Sequence, residues 1–334
     1  MIISRTPFRI SFFGGGTDYA PWYREHGGSI LTCTFNRYCY ISARYLPPFF
    51  EKRSRIVWSR IELIDRPEEI QHPAVRAGLQ YLDIREGIEI HHDGDLPART
   101  GLGSSSAFTV GLLHALYAMK GNMVSKARLA ADAIHLEQDL LQEAVGIQDQ
   151  IQVAYGGINV IKIRTDGEFE LSPVILTHER RRTIRSHMML FFTGISRFAS
   201  EIARSQIRAI PAKQSEMRAI AGFVDEALGV LVSDRDLRDF GRMLHESWEL
   251  KRSLCSAVSN DRVDRIYAAA RTAGAAGGKL LGAGGGGFML LFAAPEHHGQ
   301  IRSALGGLLE IPFEFEFSGS QIIFCDNAGG GAAA

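Results

Sequence analysis

The sequence predicts a two-domain α+β protein, and three observations carry that expectation. At 334 residues the chain is long for one hydrophobic core and comfortable for two. Strand-like and helix-like segments are mixed, without the strict alternation that builds an all-parallel sheet. The texture also changes after residue 165, where long helical stretches take over from short strands. A boundary is expected within 165–185, dividing residues 1–175 from 176–327.

Residues 2–13 and 28–46 are rich in Ile, Phe, Thr, Tyr and Cys, side chains that suit a pleated, half-buried surface. GGGTDY breaks the pattern between them as a loop. Over 51–95, RIVWSRIELI and GIEIHHDG read as short strands and PAVRAGLQYL as a helix. Further helices are expected near 105–120 and 126–145. In the second, Leu129, Ala133, Leu136, Leu140 and Ala144 recur at helical spacing. YGGINVIKI returns to strand. The stretch ELSPVILTHERRRTIRSHMMLFFTGI reads as strands around a basic turn, with ERRRTIR (179–185) a solvated turn. Helical stretches at 198–232, 235–257 and 261–273 lead to GGKLLGAGGGGFMLLFA, and the chain closes in apolar, strand-like segments. The tail AGGGAAA (328–334) has nothing to pack and is expected to be disordered.

Composition excludes several classes. Apolar residues make up 46% and charged residues 22%, an ordinary globular balance. With 37 basic and 37 acidic residues the formal net charge is zero, so no overall field draws in nucleic acid or anionic lipid. MMLFF and FMLLF fall far short of the roughly 20 apolar residues of a membrane span. MIISRTPFRISFFGGG lacks the basic stretch and long apolar run of a secretory leader. Cys33, Cys39, Cys255 and Cys325 show neither metal-type pairing nor the density of a disulfide scaffold. A cytoplasmic protein with reduced thiols, a monomer or homodimer with no nucleic-acid or membrane partner, is the expectation.

Three loops carry most of the glycine: GGGT (14–17), GLGSSS (101–106) and GAGGGG (282–287). A Walker A loop is excluded, because after GGK Leu280 offers no hydroxyl and Ala273 stands where the first glycine belongs. Gly282, Gly284 and Gly287 satisfy G-x-G-x-x-G, but a strand-like run follows instead of a helix, which argues against a dinucleotide fold. GLGSSSAFTVGLLHAL has the better physical case. Gly101 and Gly103 allow close backbone approach, and Ser104, Ser105 and Ser106 fall in the first helical turn, where unpaired N–H groups and the helix dipole favour a phosphate. Taken alone, a capped helix after a turn explains the same residues.

Read together and in order, the three loops resemble the motifs of the GHMP kinases. RTPFRISFFGGGTDY (5–19) is similar to the first motif, LPARTGLGSSSA (96–107) to the nucleotide loop, and KLLGAGGGGFMLL (279–291) to the C-terminal glycine loop. The resemblance spans residues 2–325. Within the family, FRISFFGGGTDYAPWYREHGGSIL, FFTGISRFASEIA and SGSQII are similar to the branch acting on D-glycero-D-manno-heptose 7-phosphate. It implies an N-terminal domain like ribosomal protein S5 domain 2, a ferredoxin-like C-terminal domain, and an ATP- and Mg²⁺-dependent kinase site between them. Gly101, Leu102, Gly103, Ser104, Ser105 and Ser106, with Gly284, Gly285 and Gly286, are implied to hold the nucleotide.

Phosphoryl transfer needs charge neutralisation, an in-line hydroxyl and, in many kinases, an Asp that receives the proton. The resemblance assigns that Asp to Asp149 in EAVGIQDQIQ and the basic residue beside it to Arg9, which would keep it ionised. Glu137, twelve residues upstream, borders an apolar helix face on which an unpaired anion would be costly. A magnesium ion would compensate it, with Ser105 as the matching hydroxyl ligand. Asp18 matches the sugar-hydroxyl-binding Asp. Gly15 and Gly16 stand where galactokinase carries bulky Glu and His, which argues against galactose and fits a larger sugar. A sugar phosphate also demands cations, and Arg197 and Lys251 are the leading positions, with Arg252 and Arg24 behind them. Two alternatives remain open: a kinase for fucose or another hexose, and a catalytically silent sensor of ATP and sugar.

Overall fold

The computed structural model describes residues 1–98, 100–195 and 199–326. The tail expected to be disordered, 328–334, and Arg197 lie outside the described residues. Two long strands, β1 (Ile2–Phe13) and β2 (Gly28–Tyr45), run antiparallel from Ile2↔Ala43 to Phe13↔Leu31. The GGGTD turn and the helix α1 (Ala20–His26) join them. The hairpin β3 (Ser54–Val57) and β4 (Ile61–Ile64) follows, then α2 (Pro73–Tyr81) and β5 (Ile88–Gly94), which pairs β2 antiparallel and β3 parallel. Next come α3 (Ser104–Met119), α4 (Lys126–His135), α5 (Gln148–Tyr155), β6 (Ile158–Ile163) and β7 (Phe169–Pro173). β6 returns to β2 and places α5 against the sheet. α3 is buried on nearly every side, from Ser106 to Leu116, because it is apolar all round and is enclosed by β1, β2, α4 and α5.

The second half holds α6 (His178–Ser186), β8 (Met188–Phe192), α7 (Ala199–Ala209), α8 (Gln214–Leu231), α9 (Leu237–Leu254) and α10 (Asp261–Thr272). It continues with β9 (Gly277–Leu280), β10 (Phe288–Phe292), α11 (His298–Ala304), β11 (Leu309–Glu310), β12 (Phe315–Glu316) and β13 (Gln321–Cys325). Among the described residues the second sheet is antiparallel, in the order β11-β8-β10-β9. Leu190, Phe288, Leu290 and Phe292 join the core shared with the first half, whereas Met189, Phe191, Met289 and Leu291 pack with Trp248, Val263 and Tyr267. Both faces are therefore buried, which is why MMLFF and FMLLF are apolar without alternation. β12 and β13 leave this half and pair with β2 and β1.

Four elements differ from the sequence expectation. The helix expected over 126–145 gives way at Leu136–Leu140 to a π-turn, closed by Leu141 N–H to Leu136 O at 3.0 Å, and Ala144 lies past its end. The basic stretch ERRRTIR is helix, not turn: Thr177 caps α6 by accepting the Arg180 N–H, and Ile184 anchors it in the core. The helix expected over 198–232 is broken at Ile210–Ala212, because Pro211 supplies no N–H. The short α5 carried no periodic signal of its own. Among the described residues no helix is long and apolar enough to cross a membrane.

Candidate active site

β1 carries Arg9 into the interior, where its residue surface is 3% exposed. Its Nε and Nη2 donate to the two oxygens of Asp149 at 2.6 and 2.7 Å, and Nη1 donates to Gly101 O at 2.7 Å. The Arg9 backbone N–H reaches Leu102 O at 3.0 Å. A planar guanidinium is the side chain that can hold a carboxylate bidentately and still serve a carbonyl. Asp149 sits in the first turn of α5, where the helix dipole favours a carboxylate. The start of α3 closes the arrangement. Gly103 adopts φ 73°, and a Cβ there would lie 3.0 Å from Arg9 Cγ and 3.3 Å from Asp149 Oδ2. Strand, loop and two helix starts thus meet at one ion pair.

The second and third glycine loops interlock through backbone. A Cβ on Gly101 would lie 2.3 Å from Leu281 O, and Phe288 N–H donates to Thr100 O at 3.2 Å. The three glycines expected at the nucleotide are engaged with protein. Gly285 N–H donates to Val258 O at 2.8 Å, Gly284 backs onto Val258, and Gly286 abuts Ile195. Their absent side chains serve loop packing.

Asp18 is buried, accepting from Gly16 N–H at 2.9 Å. Burial raises its carboxyl above the usual range, and the charge of Asp149 adds to that rise. Gly15 faces Ser11 and Gln148, joined at 2.9 Å, while Gly16 lies near the Met217 methyl group. Beside them Tyr19, Trp22, Ile210, Met217 and Leu254 form an apolar cluster linking the first motif to the C-terminal helices.

Lys251, expected at a distal phosphate, lies in the centre itself. It is 7% exposed and donates to Gly282 O. Burial lowers its ammonium to about 8, Arg9 pushing the same way and Asp18 and Asp149 opposing. Lys279 is buried more completely and donates to Phe12 O at 2.9 Å; burial holds it well below the usual ammonium range. Arg252 is engaged with Glu249 and Asp264 at 2.9 and 3.0 Å, and Arg24 is exposed on α1.

Glu137 is fully enclosed. Its carboxylate accepts from Ser106 Oγ at 2.9 Å, Thr109 Oγ1 at 2.8 Å and Gln150 Nε2. Burial nevertheless raises it to about 7. Ser105, expected with Glu137 as a hydroxyl ligand of magnesium, is exposed; the serine that bonds Glu137 is Ser106. Among the described residues no three His, Cys, Asp or Glu side chains converge on a metal site. Oxygen donors are nonetheless present in the Glu137 carboxylate and the Ser106 hydroxyl, and the oxygen of the Gln150 amide that bonds Glu137 through its nitrogen is buried with no hydrogen-bond partner among the described residues. Such donors suit a hard cation that takes its remaining ligands from water and phosphate. Thr109, Gln150, Gln148 and Lys279 were missed from sequence. The one available signal was the S-x-x-T spacing of Ser106 and Thr109, which puts both hydroxyls on one helix face.

An Arg–carboxylate pair against a glycine-capped helix start, with buried cations around it, has the charge and donor chemistry that phosphoryl transfer requires. Family models agree: the GHMP kinases N terminal domain matches residues 69–157 and the GHMP kinases C terminal matches 226–308. The chain belongs to the GHMP kinases, phosphotransferases whose donor is ATP. Among individual proteins, it is 26% identical over 288 residues to D-glycero-alpha-D-manno-heptose 7-phosphate kinase of Campylobacter jejuni, covering 82% of this chain and 84% of that one. It is 27% identical over 315 residues to the L-fucokinase/L-fucose-1-P guanylyltransferase of Bacteroides fragilis, covering 80% of this chain but 32% of that larger protein. Its fold matches the crystal structure of a D-glycero-D-manno-heptose 1-phosphate kinase from Bacteroides thetaiotaomicron with a TM-score of 0.78, at 23% identity over 96% of this chain and 98% of that one.

Proposed function

We propose that this chain is a sugar kinase that transfers the γ-phosphoryl group of ATP to the anomeric hydroxyl of D-glycero-D-manno-heptose 7-phosphate, giving the 1,7-bisphosphate. The observation that carries the reading is the Arg9–Asp149 fork set directly against the Gly103 start of α3. Asp149 accepts the proton of the attacking hydroxyl, and Arg9 holds that carboxylate in place. The first turn of α3 receives the phosphates through its amides. Lys251 neutralises charge on the transferring group, and Asp18 hydrogen-bonds a sugar hydroxyl. Glu137, with Ser106 or Ser105, would hold the magnesium ion, which supplies charge neutralisation between the phosphates. The heptose assignment is supported by the Campylobacter jejuni relative and by Gly15 and Gly16, which leave side-chain volume beside Gln148 and Met217.

The test is ADP release with ATP, Mg²⁺ and a panel of D-glycero-D-manno-heptose 7-phosphate, L-fucose, galactose and mevalonate. Heptose 7-phosphate should give the highest kcat/KM, and Asp18→Asn should raise KM for the sugar with ATP binding unchanged. Turnover of fucose without turnover of the heptose would transfer the assignment to the other sugar.

A further inference from the structure

The basic stretch 179–185, expected as a solvated turn, forms one face of a helix. His178, Arg181, Arg182 and Arg185 fall at i, i+3, i+4 and i+7 of α6, so all four side chains share that face. They line a groove of about 520 Å³ whose other wall is Glu314, Phe315 and Phe317. None of these residues belongs to the reaction centre. Like charges at i+3 and i+4 repel, and elsewhere on helices or at their ends a carboxylate offsets an arginine, as Glu310 does for Arg302 and Glu246 for Arg242. Arg181 and Arg182 have no carboxylate partner among the described residues. Three guanidiniums in the groove face one acid, Glu314, which lies 3.6 Å from Arg185.

The groove is also built. Arg185 is fixed by donating to Phe313 O and to Met188 O at 3.1 Å, with its guanidinium 4.1 Å from the Phe313 ring centre. Arg181 lies 5.0 Å over the Phe317 ring. Phe317 is 47% exposed, an aromatic surface left beside uncompensated cations. Forked guanidiniums recognise paired phosphate oxygens, and exposed aromatic and guanidinium planes stack flat rings. The volume is that of a small-molecule site, far below a polymer groove.

We propose that the groove between α6 and β12 is a second ligand site, which takes a nucleoside diphosphate: the phosphates on Arg181, Arg182 and His178, the base against Phe315 and Phe317. The experiment is calorimetric titration of the full chain with ADP, GDP and inorganic pyrophosphate at low salt, repeated on Arg181→Gln/Arg182→Gln. Wild type should bind ADP at two sites per chain, the reaction centre and the groove. The double variant should keep one site and lose at least tenfold in affinity at the other, with turnover and melting temperature unchanged. Preference for ADP over GDP, or the reverse, identifies the base. One ADP site in both proteins overturns the proposal, as does a second site indifferent to the variant. Pyrophosphate binding as tightly as either nucleotide removes the ring from the recognition, and a preference for polyglutamate over nucleotides assigns the face to an acidic protein instead; either result overturns it.

Discussion

Asp149→Asn separates chemistry from binding at the proposed centre. The substitution keeps the shape and one acceptor oxygen, but turns an amide N–H₂ toward one of the two Arg9 donors now bonded at 2.6 and 2.7 Å. Removing one partner of a buried pair costs roughly 3–5 kcal/mol. Here Gly101 O still holds Nη1, and the Asp149 side chain is 22% exposed, so a stability loss of about 2 kcal/mol is expected. The catalytic loss is larger. A carboxylate that accepts a proton in the transition state contributes about a hundredfold to ten-thousandfold, so turnover should fall about a thousandfold, or about 4 kcal/mol in barrier. The start of α3 is untouched, and ATP affinity should stay within about threefold. Coupled ADP release at saturating sugar and ATP, calorimetric ATP titration and thermal unfolding measure the three quantities. Retention of more than a tenth of the turnover would refute the role given to Asp149, and so would equal loss of turnover and nucleotide binding.

Two further perturbations test neighbouring parts. Gly101→Ala puts a Cβ 2.3 Å from Leu281 O at φ +81°, so the interlock of the two loops must open; ATP affinity should drop at least about tenfold, since backbone approach there admits no side chain, and wild-type affinity would contradict the interlock. Lys251 should be charged below about 8 and neutral above it, so kcat should decline as pH rises through that value, whereas Lys251→Arg, charged throughout, should lose the decline. The folded ammonium titrates below its unfolded value of 10.5, so the folded chain holds fewer protons between about 8 and 10.5 and stability rises with pH across that window. Denaturant titrations at both ends of the window should show the rise, and Lys251→Met should reduce it, the remainder belonging to Lys279, which burial also lowers.

The fold was legible where one local rule decided the structure. β1 and β2 follow their β-branched and aromatic runs, and α3 follows its uninterrupted apolar face. The failures are places where a tertiary partner overrode the local pattern. Leu140 and Ala144 continue the helical spacing of α4, but the chain widens into a π-turn, and Glu137 in that turn is held by Ser106, Thr109 and Gln150. Those donors come from α3 and α5, and no spacing within 126–145 announces them. ERRRTIR looks solvated because three successive arginines carry no periodicity, yet a single buried Ile184 and a Thr177 cap suffice to wind it into helix. At the proposed centre the pairing of Asp149 with Arg9 was readable because motif residues mark both positions. For Lys251 a sequence shows the charge but not the Gly282 carbonyl to which the buried ammonium donates.

The position of Lys251 alters how the centre handles charge. Asp18 and Asp149 are set among Arg9, Lys251 and Lys279, and burial works against the charged forms of Asp18, Lys251 and Lys279. Asp18 is raised, while Lys251 and Lys279 are lowered, so each of these groups is biased toward its neutral form. Within this cluster Arg9–Asp149 is joined in bidentate geometry, and it is the pair assigned to the chemistry. A polyanion entering beside α3 reverses the bias on the lysines, because an opposite charge nearby favours the ammonium form. The same charge acts against ionisation of Asp18, leaving it a hydrogen-bonding group for a neutral hydroxyl. Under the proposed function, phosphate would therefore return Lys251 and Lys279, lowered by burial, toward the ammonium form beside the transferring group.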